Sequence, residues 1–329
     1  MEGTAKLTPS RFERRMSNQD ISDNTASVSD HKITLNLREL TEQELALLKS
    51  QTDIEDMDEL QRHVESVAEK AFKTIYQSTN TSWNSEKRVQ MPFSSISGVV
   101  VTLVSTLTST THIRVTSTKV GHDTRKAIAD GYPIQNVVAS DIHPEFWTLG
   151  HELFKSTPES FPVLLVPGDA FDNAFIPDCP PFDNETRKPS TEKPSQATLA
   201  SAKSLAPPQG HVSAIHASGL FHLFVEEQQR VLANKLASLL SLEPGSVVFG
   251  MQHGASEVKE ILNIRKEKTF LHSEDSWTRL WVGEEGESEE RVFPKGMVQV
   301  DVRLFDLKPT AADGTFSDYN RLVWSVKRI

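Results

Sequence analysis

Near the start of the chain, apolar residues recur at helical spacing. They lie three or four positions apart, as on a helix with one buried face: Met57, Leu60, Val64, Val67 and Ala71. The pattern TEQE at Thr41 is typical of a capping box just ahead of a helix. Residues 32–77 are therefore predicted to form a helical N-terminal extension. Residues 1–31 are polar without periodicity, and we expect them to be disordered.

From residue 120 onwards, short apolar runs alternate with amphipathic segments. The runs predict buried strands at 136–141, 161–171, 211–218 and 246–254. The segments between them predict helices at DTRKAIADGY, PEFWTLGHELFKS and VEEQQRVLANKLASLLS. We expect the first helix to end at Gly131. We expect the last helix to bury Val231, Leu232, Leu236, Leu239 and Leu240.

The order of these elements indicates an α/β fold. Strands that alternate with helices form a doubly wound, mostly parallel sheet with helices on both faces. Residues 297–307 and 321–329 alternate apolar and polar positions, and they predict an antiparallel pair at the sheet edge. We interpret the Pro- and Ser-containing stretch 173–208 as an inserted surface loop, and 255–292 as mixed with a short helix near 276–281.

Residues 78–119 do not follow this pattern. From Ser94 to Thr118, 13 of 25 residues are Ser or Thr, and the segment lacks the turns and charges found elsewhere. Its β-branched content favours strand. The sequence assigns no definite structure to it.

Composition excludes several classes of function. The chain has 35 Lys and Arg against 45 Asp and Glu, a formal net charge of −10, so general nucleic-acid binding is not expected. Its one cysteine, Cys179, permits neither an internal disulfide nor a cysteine-based zinc site. No secretory signal and no membrane-spanning apolar run is visible, so we expect a cytoplasmic protein with no membrane partner. The oligomeric state is left open.

Acidic residues follow two of the predicted strands, where ligands bind in open α/β sheets. Asp141 ends one strand and can accept hydrogen bonds from the two hydroxyls of a ribose, or it caps the next helix. Asp169 ends the next strand. Its carboxylate can accept a hydrogen bond from an exocyclic amine, with the Phe171 ring alongside, or it can form an Asx-turn.

His216 lies at the end of a third strand, in AIHAS. It is a candidate general base or substrate-orienting group, or a hydrogen-bonded core histidine. The spacing of His211, His216 and His222 is not typical of a metal site, and none is predicted. The chain lacks G-x-S-x-G, the P-loop pattern and G-x-G-x-x-G, which disfavours hydrolase, P-loop and nicotinamide-dependent oxidoreductase functions.

Several segments together carry a resemblance to a known family. The most specific is DGYPIQNVVASDIHPEFWTLGHELF, and VPGDAF, GHVSAIHASGLFHLFVEEQQ, FLHSEDSWTRLW and LVWSVKRI accompany it. The chain resembles the fungal class I S-adenosylmethionine-dependent methyltransferases of secondary-metabolite pathways over about 45–76 and most of 120–329. The resemblance implies a Rossmann-like sheet of seven strands with the last antiparallel, S-adenosylmethionine as cofactor and a small-molecule methyl acceptor.

The resemblance also implies roles for individual residues. Asp141 would hold the ribose hydroxyls, with Ile142 beside it at the cofactor. Asp169, Ala170 and Phe171 would frame the adenine. Gly121 and Asp123 would border the methionine end. His216 would lie near the sulfonium and the acceptor.

One departure affects these expectations. The family places a glycine-rich loop with an acid at its start after the first strand, but here the aligned residues read RVTSTKVG. Val115 stands where the acid is expected and Ser117 where the first glycine is expected. Either the segment is genuine and the cofactor pocket is weakened, or the translation crosses a wrong exon boundary. The first case includes a second functional hypothesis, an inactive homologue acting as a binding or regulatory protein.

Overall fold

The structure is a computed structural model with a mixed α/β fold. The helices are α1 (Glu42–Thr52), α2 (Met57–Gln77), α3 (His122–Ala129), α4 (Pro144–Leu153), α5 (Gln196–Ala200), α6 (Glu226–Leu239) and α7 (Glu274–Val282). The strands are β1 (Thr102–Val104), β2 (Val137–Ala139), β3 (Leu164–Leu165), β4 (Ala214–His216), β5 (Val247–Gly254), β6 (Lys259–Leu262), β7 (Lys268–Leu271), β8 (Val298–Phe305) and β9 (Asn320–Arg328). The residues described are 37, 40, 42–77, 102–104, 121–183, 188–189, 192–262, 267–283, 291–305 and 320–329.

The predicted N-terminal helical block is present as α1 and α2. Leu60, Val64, Val67 and Ala71 are buried along one face of α2, as their spacing predicts. This face packs with the buried side of α4 in a single apolar cluster. Polar contacts join the same helices, since the Lys70 side chain pairs with Glu152 of α4. The predicted cap at Thr41 and the predicted disordered tail lie outside the described residues.

The main sheet has seven strands in the order β3-β2-β1-β4-β5-β9-β8. The β2–β3 and β4–β5 pairs are parallel, whereas β9 is antiparallel to both of its neighbours, β5 and β8. The closing antiparallel pair predicted from alternation is therefore confirmed. Combining the pair directions, five strands run one way, and β1 and β9 run the other way.

The direction of β1 departs from the expected sheet. β1 is antiparallel to β2 and β4, so the mostly parallel sheet is confirmed only in part. β1 falls within the Ser/Thr-rich stretch. All three of its residues pair with β4 and two of them also pair with β2, through backbone groups. Backbone pairing accepts either direction, which explains why composition indicates a strand without fixing how it runs. The rest of 78–119 lies outside the described residues.

The core of the sheet domain is rich in aromatic rings. Phe221 is fully buried and meets Trp277, Trp324 and Trp281 edge-on, with ring centroids 4.9, 5.6 and 6.2 Å away. α6 covers this core with Leu232, Leu236 and Leu239, as predicted. The prediction for Val231 is wrong: it is 36% exposed, because it lies about 100° around the helix from Leu232.

Two further segments differ from their predictions. β3 has two residues rather than the eleven predicted, although backbone pairing continues beyond it. The 173–208 stretch contains α5 and is anchored to the core through buried Phe175, Ile176 and Leu205. Buried Lys235 of α6 also holds it, donating to Asn173 Oδ1 and Ile176 O at 2.7 Å. Within the described residues, no helix has the length and apolar character needed to cross a membrane.

Candidate functional site

The carboxyl ends of β2, β3 and β4 meet at one edge of the sheet. β2 and β4 run the same way because both are antiparallel to β1, and β3 is parallel to β2. Beyond the strands, Gly168 N donates to Asp141 O at 3.0 Å. The residues after β2 and β3 therefore stay paired, and Asp141 and Asp169 lie at the same edge. This is the edge where open α/β sheets bind ligands.

Asp141 is buried at this edge, with 4% of the residue exposed. Its Oδ1 accepts a hydrogen bond from His143 N at 2.7 Å. The residue at the N-cap of α4 is His143 rather than Asp141, so the carboxylate supports the helix entry from two positions earlier. The neighbouring Ile142 is 55% exposed and presents an apolar side chain beside the buried acid.

Asp169 lies on the surface just beyond β3. Its Oδ1 accepts from Phe171 N at 2.9 Å, which is the geometry of the Asx-turn that its sequence also allowed. The turn places Ala170 and Phe171 half-buried, with the Phe171 ring packed edge-on against Phe224 at 4.9 Å. The turn thus fixes a ring at the sheet edge.

Gly121 and Asp123 form the start of α3. Gly121 is the N-cap residue with φ of 81°, a conformation that favours glycine, and a Cβ there would lie 3.0 Å from the Trp147 ring. Asp123 follows in the first turn, where a carboxylate is favoured by the helix dipole. Its Oδ2 lies 3.7 Å from Nδ1 of His216, and its Oδ1 lies 3.8 Å from Nδ1 of His122.

His216 is buried at the end of β4. Its Nε2 lies 2.6 Å from the Ser218 hydroxyl, which also accepts a hydrogen bond from Met251 N at 3.0 Å. Burial lowers the pKa of His216 below its usual value, and the Asp123 carboxylate opposes this by raising it. The imidazole is therefore neutral at pH 7, with one nitrogen protonated.

The surrounding groups favour one tautomer of this imidazole. The carboxylate of Asp123 favours a proton on Nδ1, although 3.7 Å is too long for a hydrogen bond. Nε2 then accepts from the Ser218 hydroxyl. A carboxylate, an imidazole and a hydroxyl thus follow one another at the sheet edge, an arrangement that can accept or relay a proton. The same contacts also fit the core-histidine interpretation.

The structure brings some of the predicted residues together. The Asp123 carboxylate lies 3.7 Å from the His216 imidazole, and Asp141 and Asp169 lie on neighbouring chain segments. Sequence reasoning missed Ser218, whose only signal is its position two residues after His216 in the same loop. The described residues contain no group of three or more His, Cys, Asp or Glu side chains arranged to hold a metal ion.

Comparison with known proteins adds a second line of evidence. Residues 33–77, which contain α1 and α2, match the model of a family described as the meroterpenoid methyltransferase N-terminal domain. The chain is 27% identical to the O-methyltransferase phiE of a fungal species over 165 residues. This match covers 49% of this chain and 45% of the relative. It is 26% identical over 191 residues to the Asnovolin E/Chermesin D methyltransferase nvfJ of Aspergillus novofumigatus, covering 56% and 57%.

The methyltransferase prhM of Penicillium brasilianum is 29% identical over 163 residues, covering 49% of this chain and 48% of the relative. The chain is therefore similar to these fungal methyltransferases over part of its length. It spans about half the length of the relatives that it matches. The helical extension predicted from apolar spacing is thus a segment that the family model also covers. The altered loop at 114–121, apart from Gly121, lies outside the described residues.

Proposed function

We propose that this protein is a cytoplasmic S-adenosylmethionine-dependent methyltransferase acting on a small-molecule metabolite. One observation carries the proposal: Asp141, Asp169 and the Asp123–His216 pair all lie at the carboxyl edge of one α/β sheet. This sheet has seven strands and an antiparallel last strand, β9, as the resemblance implies. Partial similarity to fungal methyltransferases supports the same activity.

The residues at this edge fit a nucleoside with a charged amino-acid tail. Asp141 would accept from the ribose hydroxyls, since a buried carboxylate gives strong charge-assisted hydrogen bonds. Ile142, Ala170 and Phe171 would border the adenine, with Asp169 beside its exocyclic amine. Gly121 and Asp123 would border the methionine end. When bound, this cofactor supplies an electrophilic methyl group on its sulfonium.

The chain's own contribution is to hold and orient the reactants. His216 would lie beside the acceptor, with its Nδ1 proton facing Asp123 and its Nε2 facing Ser218. In this position the neutral imidazole can receive the proton that the acceptor loses, once the Ser218 hydroxyl yields Nε2. We infer a small organic acceptor, and the name of the phiE relative favours an oxygen atom as the methylated position.

A second function is supported by the departures in the first strand and its loop. β1 runs opposite to β2 and β4, so its carboxyl end lies at the other edge of the sheet. The loop that follows carries Val115 and Ser117 in place of the family's acid and glycine. These changes would weaken binding of the cofactor's ammonium group. They support an inactive homologue that acts as a binding or regulatory protein.

Calorimetric titration with S-adenosylmethionine separates the two functions. The first predicts micromolar binding to the full chain, weakened about tenfold or more by Asp141→Asn, which removes charge but keeps an Oδ1 acceptor for His143 N. The second predicts no binding unless Val115→Asp and Ser117→Gly are combined. Lack of binding by both proteins would contradict a cofactor role for this edge.

A further inference from the structure

A cavity of about 320 Å³ lies away from the proposed cofactor edge. It is formed by the end of α1, one face of α3 and the segment after α4, and its polar lining includes Ser50, Gln51, Arg125, Lys155, Ser156 and Ser160. This volume is at the lower end of the range for small-molecule sites. Arg125 and Asp123 are two residues apart on α3, or about 200° around the helix, so they face nearly opposite sides.

Arg125 is fixed in the wall of this cavity. Only 4% of the residue is exposed, and its guanidinium carbon lies 3.9 Å from the ring centroid of Phe161 and 4.5 Å from that of Phe154. The two phenyl rings cover the guanidinium and fix its plane. Its N–H groups lie in that plane and point outward from its edge.

The guanidinium is only partly hydrogen-bonded. Nη2 donates to Ser156 Oγ at 2.6 Å and Nη1 to Gln51 Oε1 at 3.5 Å, both neutral acceptors. Nε is buried and donates to no described residue. A guanidinium has five N–H donors, so the described contacts leave donors free.

No described carboxylate forms an ion pair with Arg125. Burial lowers the pKa of Arg125 to about 10, and the group therefore stays charged at neutral pH. A buried charge without a counterion is costly unless a ligand supplies one. The second cation of the wall, exposed Lys155, adds to the positive potential of the cavity.

We propose that this cavity binds a small oxyanion, held by the in-plane N–H groups of Arg125 with the serine hydroxyls of the wall beside it. Guanidinium groups match both carboxylate and phosphate oxygens, and these are the two ligand sources to distinguish. The inference does not rest on the proposed methyltransferase activity. Because α1 belongs to the family-matched N-terminal segment and α3 to the sheet domain, the ligand would bridge the two.

Titration of the full chain with sodium phosphate and, separately, with sodium benzoate tests this site. Calorimetry and thermal unfolding would be measured at constant ionic strength, with sodium chloride as reference. We expect saturable binding and a raised Tm with at least one anion. Binding of phosphate alone identifies a phosphate-bearing ligand, and binding of benzoate alone identifies a carboxylate-bearing one. Either result supports the site.

Two variants locate the binding. Arg125→Gln is expected to weaken binding at least tenfold. Because Arg125 is buried and its loss can also disturb folding, Ser50→Asp provides a second test. It adds a carboxylate at an exposed position of the wall and should weaken binding at least fivefold. Ala46→Asp adds the same charge to α1 outside the wall and should change affinity less than twofold. No binding above chloride, or equal binding by Ser50→Asp and Ala46→Asp, would overturn the proposal.

Discussion

Oδ2 of Asp123 lies 3.7 Å from Nδ1 of His216, and this approach joins the first turn of α3 to the end of β4. Both side chains are nearly buried, at 13% and 8% exposure. Electrostatic coupling is strong at such a site because little solvent screens it. The Asp123 carboxylate therefore influences the protonation of the His216 imidazole.

Removing the charge of Asp123 should change the titration of His216. The carboxylate raises the pKa of His216 against the larger effect of burial, so Asp123→Asn should lower that pKa further. The shift can be followed by NMR of the imidazole resonances as the pH is decreased. Asp130→Asn, at the C-cap of the same helix and paired with Lys126, is the matched control and should leave the pKa of His216 unchanged. An unchanged titration in both variants would show that the pair is uncoupled.

Phe221 should be among the most sensitive positions in the core. It is fully buried and contacts three tryptophan rings, so Phe221→Ala leaves a large cavity. We expect a loss of about 3–5 kcal/mol in the free energy of unfolding, measured with urea. Val231→Ala, at an exposed position of α6, should cost much less, about 0.5 kcal/mol. Equal losses would contradict the assignment of the core.

Acid should destabilise the fold through His272. Burial lowers the pKa of His272 to about 3, below the usual 6.5, so the unfolded chain binds a proton that the folded chain does not. Neutral, buried His272 therefore makes its full contribution to the free energy of unfolding above pH 6.5. As the pH falls from 6.5 towards 3, protonation of the unfolded chain lowers that free energy by up to about 1.4 kcal/mol per pH unit. Urea unfolding at pH 7, 6 and 5 should show a shallower pH dependence for His272→Phe than for the unchanged protein. Parallel dependences would rule out this role.

Lys235 should control the order of the inserted segment. Its buried Nζ donates to Asn173 Oδ1 and Ile176 O, and it lies 2.8 Å from an oxygen of exposed Asp178. Lys235→Met leaves these acceptors without their donor, and we expect a loss of about 1–3 kcal/mol. Limited proteolysis should then cut within 173–183 more rapidly. The Lys193→Met variant, changed at an exposed lysine of the same insertion, should be cleaved at the same rate as the unchanged protein.

Apolar spacing predicted most of the helices and strands, because burial sets the period of each element. It did not give the burial of Val231 correctly. A residue at the margin of an apolar face is exposed or buried according to what packs beside it. It also could not give the direction of β1. Strand direction depends on the path of the connecting chain and on neighbours distant in sequence, which composition does not encode.

The candidate site was predictable to the extent that it follows strand ends. Asp141, Asp169 and His216 each end a predicted strand, so topology alone brings them to one edge. The roles of Ser218 and Arg125 were not predictable, because both depend on contacts between distant segments. The two phenyl rings over Arg125 come from residues after α4, and their contact requires the complete fold.

The buried face of α2 that packs against α4 limits where this protein can be truncated. Phe146, Leu149, Leu153 and Phe154 share their cluster with Leu60, Val64 and Val67. Expression of the sheet portion alone, from about residue 120, would strip the cover from these side chains and leave an aggregation-prone patch. Recombinant boundaries, domain exchanges with relatives and directed-evolution libraries should therefore keep α1 and α2 with their native α4 partner.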